Sequence, residues 1–329
     1  MLKILRTTTL MFMLAASPGL AQAPQQPLTQ DEVRDLIKNN IKTNADQISK
    51  TLSERKVDFD LNRDIEKKMR RAGATDDMVQ EIWKAGPTYT NAKSSLLTSP
   101  TGARIEATYE EAMGFQTIQN EMDPDRTIRM VNEFEQRFPK SQCLSYVYTQ
   151  AAKAYHQKGD YAKAVDYGEK SLRLDPDNTF SLVIVALSLS QPRELQGTPA
   201  ESSKRLSEAA TDASHALGLI DKLDKRPNET DEQFQQRRDA ITADAHFALG
   251  AVDMHQEDFD KAVTEYKAAI SSSPKPPFQY YYRLGEAYAS DGQTSQAIEI
   301  LHKAADVARG TPMQKYADDF IAELQNKAH

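Results

Sequence analysis

A single cysteine among 329 residues leaves no intramolecular disulfide, so no covalent staple supports this fold in any compartment. Cys143 stands among Leu144, Tyr146 and Val147 and reads as a small buried hydrophobe rather than a reactive thiol. No apolar run approaches the roughly 20 residues that a membrane-spanning helix needs. A surplus of basic charge is also missing: 41 Lys and Arg face 48 Asp and Glu, a net of −7 with the signs intermixed. That balance argues against nucleic acid as a partner, since such binding rests on clustered cations. Glycine-rich phosphate loops, nucleophile elbows and zincin helices are absent too. The six histidines show no ligand spacing: His246 and His255 share one helical stretch, but nine positions place their rings on different sides. His156, His215 and His302 have no Cys or carboxylate pattern around them, and Asp175-Pro-Asp-Asn178 lacks the glycine and distal glutamate of a calcium loop. No catalytic residue, metal ligand or cofactor is expected, and the chain is not read as an enzyme.

What is present begins with a short apolar segment, Leu10–Ala16, after Lys3 and Arg6 and before the small residues of 17–23. This is the layout of a cleavable export signal over 1–23, with the cut expected after Ala21. Removal of Lys3 and Arg6 leaves 39 basic and 48 acidic residues, a mature charge of −9. The expected location is therefore periplasmic or secreted, with no stable membrane insertion.

Residues 24–86 carry the marks of a small helical module. Thr29-Gln-Asp-Glu32 has capping-box spacing ahead of Val33, Leu36, Ile37 and Ile41. Ile48 and Leu52 define a second helix, Ile65–Arg71 a third, and Thr75 starts a fourth that carries Met78, Ile82 and Trp83. Val57–Leu61 is expected to be an extended connection that pins Phe59 in the core. Lys67, Lys68, Arg70 and Arg71 read as a solvated face. The segment resembles a four-helix module found before repeat arrays in exported bacterial proteins, a likeness that implies no activity. Over 87–108 periodicity fades among Pro87, Thr, Asn, Ser and Pro100, the composition of a linker.

The organising pattern lies farther on. Gly159-Asp-Tyr161, then Ala164 and the stop at Leu174-Asp-Pro176, describe a tight turn, a helix with small residues on one face, and a break. The design recurs as Phe259, Ala262, Tyr266, Ala269 and Pro274, and again as Gly292, Ala297, Leu301 and Ala304. Gly250 and Gly285 are thirty-five residues apart, as are Ala262 and Ala297. A period near 34 with these residues marks paired helices, and 109–311 resembles the tetratricopeptide repeat family. The array opens on a degenerate pair around Phe115 and Phe134. Its middle is stretched by about thirty residues over two periods between Ala164 and Ala262. Two long helices, 200–223 and 231–255, are expected there, beyond a loop at Gln191-Pro192 and Gly197. Residues 312–329 form an amphipathic end helix carrying Met313, Tyr316, Phe320, Ile321 and Leu324, fit to cap a solenoid. The fold class is thus all-α: an α-solenoid of helix pairs after a four-helix module.

The resemblance implies a binding groove on the inner faces of each pair's first helix. Carried to this chain, that face presents Tyr146, Lys153, Phe180, Leu187, Phe247, Met254, Tyr282 and Glu286. Some family members hold a C-terminal carboxylate with Lys and Asn there; this chain has Lys153 alone, which departs from that arrangement. Of Tyr280-Tyr-Tyr282 at least one is expected to be exposed, since three consecutive residues cannot share a helix face. The groove is apolar and aromatic and suits an amphipathic helix or an apolar segment of a protein or peptide. The expected function is a non-enzymatic protein- or peptide-binding scaffold of the bacterial envelope. The alternatives are an accessory subunit of an envelope enzyme or assembly machine, and a hydrolase formed in the 191–231 region around Glu194, Asp221 and Asp224.

Overall fold

The structure is a computed structural model that describes residues 26–40, 45–90, 105–226 and 229–327. The expected export signal over 1–23 lies outside the described residues. The chain divides into two compact units between Pro87 and Thr88.

The first unit holds α1 (Gln30–Asn40), α2 (Ala45–Arg55), α3 (Arg63–Arg71) and α4 (Asp76–Ala85). Its helix starts are local chemistry. The Glu32 carboxylate accepts the Thr29 N–H at 2.8 Å, the Asn62 side chain accepts from the N–H groups of Asp64 and Ile65, and Thr75 accepts from that of Met78. After α2 the chain runs extended: Leu28 and Val57 form a parallel bridge, and Val57 N–H donates to the Ala85 carbonyl at 3.1 Å. Phe59, beyond that tie, is buried, as are Ile37, Leu52 and Trp83 of the same unit. The basic cluster of α3 is not uniformly solvated. Arg70 and Arg63 both reach Glu66, at 2.7 and 3.1 Å, and Glu66 is itself buried.

A one-turn helix, α5 (Pro87–Thr90), stands at the division, where unstructured linker was expected. Residues 105–108, also assigned to that linker, belong instead to the packing of the second unit. Ile105 is buried against Phe115 and Val147, Glu106 N–H donates to Gln142 Oε1 at 3.0 Å, and Thr108 caps the next helix.

The second unit is a series of antiparallel pairs: α6 (Tyr109–Gln119) with α7 (Pro124–Arg137), α8 (Leu144–Gln157) with α9 (Tyr161–Leu174), and α10 (Thr179–Leu189) with α11 (Pro199–Leu219). Then come α12 (Asp231–His255) with α13 (Phe259–Ser272), α14 (Phe278–Ser290) with α15 (Thr294–Val307), and α16 (Pro312–Lys327). Among the described residues no strand forms. The turns inside the α8–α9, α12–α13 and α14–α15 pairs share one device. Gly159 sits at φ 73° and the Asp160 N–H donates back to the Tyr155 carbonyl at 3.0 Å. Glu257 takes the same place at φ 60° without a glycine, with Asp258 N–H on the Asp253 carbonyl. Within the pairs, small residues set the approach: a Cβ on Gly250 would stand 2.7 Å from ring atoms of Tyr266.

The stretched middle is distributed rather than inserted as one piece. Helices α11 and α12 have 21 and 25 residues against 14 in α8 and α9, and the rest lies in the loops before them. Thr198 and Thr230 close capping boxes at both starts, with Glu201 and Gln233.

Two expectations at the C-terminal end need correction. Helix α16 buries Ala317, Ile321 and Leu324, while Met313 and Tyr316, expected on its apolar side, are 44% and 61% exposed. The stripe runs i, i+4, i+7 from Ala317; Tyr316 falls to one side of it, while Met313 lies on it but stands in the first turn, at the helix end. Of the three tyrosines none is exposed: Tyr280 is buried, and Tyr281 and Tyr282 are partly covered around Ala304, Ala305 and Ala317. Helix α16 covers the side that a single helix pair would leave open.

Candidate functional site: an inner-face cavity pair

The first helices of successive pairs turn one face to a common side. On α8 that face is Tyr146, Thr149, Gln150 and Lys153; on α10 it is Phe180, Val183, Ile184 and Leu187. Both sets follow i, i+3, i+4, i+7, one side of a 3.6-residue helix. Apart from Thr179, Ser181 and Ser188, helix α10 is apolar, because its other side, Leu182, Val185, Ala186 and Leu189, fills the core against α11 and α12. From α12, Ile241 and Asp244 close a cavity of about 590 Å³.

A second cavity of about 480 Å³ adjoins it, since Leu187 and Asp244 line both. Its walls add His156, Phe247, Met254 and Tyr280. Phe247 stacks on Tyr280 at 4.7 Å and 19° and tilts against Tyr266 at 5.3 Å, so it is a packed wall rather than a loose anchor.

Polar groups are tied down around these apolar surfaces. Tyr280 donates its hydroxyl to Asp244 Oδ1 at 2.5 Å. Burial pushes the Asp244 carboxyl above its ordinary range, and the Tyr280 bond and the Lys153 charge only partly oppose it. Burial also lowers the affinity of His156 for a proton, and its Nδ1 meets Ser188 Oγ at 2.9 Å. Beneath the larger cavity lies a knot of small polar side chains. The Asn178 amide reaches Ser145, Thr149 and Ser171 oxygens at 3.1, 3.2 and 3.2 Å, and its Oδ1 accepts the Ser181 N–H that starts α10. All five are buried.

Of the residues expected in the groove, Tyr146, Lys153, Phe180 and Leu187 line the larger cavity, and Leu187, Phe247 and Met254 the smaller. Tyr282 and Glu286 line neither. Tyr282 packs between Phe278 at 5.3 Å and Phe320 of α16 at 6.0 Å, and Glu286 is held by Arg283 at 2.6 Å. Two positions along the helix, Tyr280 takes the inward place, because α16 covers the side on which Tyr282 lies. Sequence reasoning missed Asp244, Tyr280, Arg226 and the Asn178 knot. Asp244 could have been found three residues before Phe247; Arg226, in a loop, has no periodic signal.

The three acids considered for hydrolysis are tied, through main chain or side chain, to separate arginines. Glu194 offers its carbonyl to Arg205, Asp221 pairs with Arg238 at 2.5 Å, and the Asp224 carbonyl accepts from Arg237. His246 is paired with Glu265 on α13 and His255 with the Ser190 carbonyl, so the two rings do face different neighbours. Among the described residues no group of three or more His, Cys, Asp or Glu is placed to hold a metal ion. No helix among them is long and apolar enough to cross a membrane.

Comparison with known proteins places the tetratricopeptide repeat family models on 145–178 and 247–312, that is, α8–α9 and α12–α15. Superkiller protein 3 of Schizosaccharomyces pombe is 25% identical over 197 residues. The match covers 53% of this chain but only 14% of that protein. Among solved structures, a thermophilic repeat protein of Thermus thermophilus, TTC0263, aligns with 65% of this chain and 98% of its own, at 15% identity and TM-score 0.46. YrrB, a repeat protein with an unusual peptide-binding site, aligns over 62% and 88% at 18% identity and TM-score 0.39.

Proposed function

Starting from a chain that belongs to the tetratricopeptide repeat family, we propose that it is a non-enzymatic scaffold of the bacterial cell envelope. It holds an apolar peptide or an amphipathic helix of a partner protein along the inner faces of α8, α10, α12 and α14. The observation that carries this reading is the pair of adjoining cavities that share Leu187 and Asp244. Each has the size of a ligand site, and together they suit an elongated occupant better than one small molecule. Phe180, Ile184 and Leu187 remain only partly covered on a helix that is otherwise core. An apolar side chain docked there would complete their burial.

The test is titration of fluorescein-labelled amphipathic helices and extended apolar peptides against the full chain, read by anisotropy. Leu187→Ser, which alters both cavities, and Phe180→Ala, which alters the larger, should each weaken binding by about tenfold while helical content holds. Failure of every peptide to bind, or variants that bind as tightly as the unsubstituted chain, refutes the groove. The envelope location rests on Lys3, Arg6, the apolar 10–16 segment and the small residues after it. Its test is cell fractionation with mass analysis of the recovered N-terminus, where a first residue of Gln22 is expected. Intact protein confined to the cytoplasm refutes export.

A further inference from the structure

The loop that joins α11 to α12 is built to hold a guanidinium at the larger cavity. Arg237 on α12 is 8% exposed in its side chain and clamps Glu229 with two bonds of 2.8 Å, while one of its nitrogens also reaches the Asp224 carbonyl at 2.9 Å. Glu229 in turn accepts the Arg226 N–H at 2.9 Å and returns its own N–H to the Arg226 carbonyl at 3.1 Å. The backbone at Arg226 is therefore fixed by a buried ion pair. Its side chain lines the cavity that Lys153 lines from α8.

Neither cation has an ion-pair partner among the described residues. Glu229 is engaged by Arg237, and Asp244 is occupied by the Tyr280 hydroxyl and, by burial, is reluctant to ionise. Burial and the nearby Arg237 charge disfavour the Arg226 guanidinium, and the Glu229 charge, already engaged by Arg237, opposes them only in part. The same cavity has apolar wall in Phe180, Val183 and Ile241. We propose that this end of the cavity receives a carboxylate: an Asp or Glu side chain of the bound peptide, flanked by an apolar residue. Arg226 is the specificity-determining contact and Lys153 the second. The planar fork of an arginine matches a carboxylate in two bonds, whereas a lysine supplies a point charge. The inference rests on the peptide-scaffold reading above and names the chemistry of its ligand.

The experiment uses the full chain and two pools of fluorescein-labelled nonapeptides with amidated C-termini, randomised over Leu, Phe, Val and Ser. One pool carries a fixed central Glu, the other a Gln. The Glu pool should bind about tenfold more tightly at low salt, a preference that added salt erodes. R226Q should bring the two pools within about twofold of each other; R226K and K153Q should each retain part of the preference. Equal affinity of both pools for the unsubstituted chain, or an undiminished preference in R226Q, overturns this inference and leaves the scaffold reading standing. Binding of neither pool overturns this inference as well, and the titration of amphipathic helices described above then decides the scaffold reading.

Discussion

Asn178→Ala is the most informative single change, because one side chain both starts α10 and ties the knot beneath the larger cavity. Its Oδ1 accepts the Ser181 N–H, a cap whose loss costs about 1 kcal/mol. Its amide also donates into a cluster of buried hydroxyls on α8, α9 and α10. The hydroxyls keep one another, with Ser171 and Ser181 at 2.7 Å and Thr149 and Ser181 at 2.7 Å, so only part of the network is lost. Leaving a buried acceptor without its donor adds about 1 to 2 kcal/mol. The total of about 2 to 3 kcal/mol corresponds, for a unit of this length, to a fall in Tm of roughly 4 to 12 °C. The assay has a built-in control. The only tryptophan, Trp83, is buried in the first unit, so its fluorescence follows that unit, while far-UV dichroism is dominated by the second. The dichroism transition should move and the fluorescence transition should not. Asn178→Ser, which keeps a capping oxygen, should recover about 1 kcal/mol of the loss. A dichroism shift below about 2 °C, or a Ser variant as damaged as the Ala one, refutes this account of the knot.

Three further outcomes are expected. Gly250→Ala places a Cβ against the Tyr266 ring at 2.7 Å and should cost about 1 to 3 kcal/mol in the same dichroism transition. Burial, reinforced by nearby carboxylates, pushes Asp212 and Asp253 up from 3.8 to about 6. Folding therefore takes up protons: this contribution is fully present below pH 3.8 and is lost as the pH rises through about 6. Asp212→Asn and Asp253→Asn should thus raise Tm at neutral pH and have little effect near pH 4, each gaining about 1 kcal/mol once solvent screening of these partly covered groups is counted. Burial pushes the Cys143 thiol up to about 11, so a disulfide-exchange reagent should label it only as the second unit unfolds.

Much of the helical plan was legible because it is local. Thr29 with Glu32 and Thr75 announce helix starts through atoms three residues apart, and Gly159 announces a left-handed turn by lacking a Cβ. The faces of α8 and α10 follow from periodicity, and the resemblance to the repeat family implied which face is the groove, so Tyr146, Lys153, Phe180 and Leu187 could be named in advance as candidate groove residues. Other features depend on what packs over a helix. Periodicity sorts Tyr280 from Tyr282 by rotation about the axis, but only the placement of α16 decides which points inward. Glu257 adopts the turn that Gly159 marks, with no residue to signal it, because the flanking helices impose it.

By itself, then, the sequence determined an all-α chain of repeated helix pairs, since capping, turn chemistry and a period near 34 act over a few residues at a time. Tertiary structure alone decided that two cavities adjoin at Leu187 and Asp244, and that Tyr280 holds the Asp244 carboxylate. It alone brought Arg226 from a loop to the cavity lined by Lys153. Those arrangements join side chains tens of residues apart, and only the packing of whole helices sets such distances.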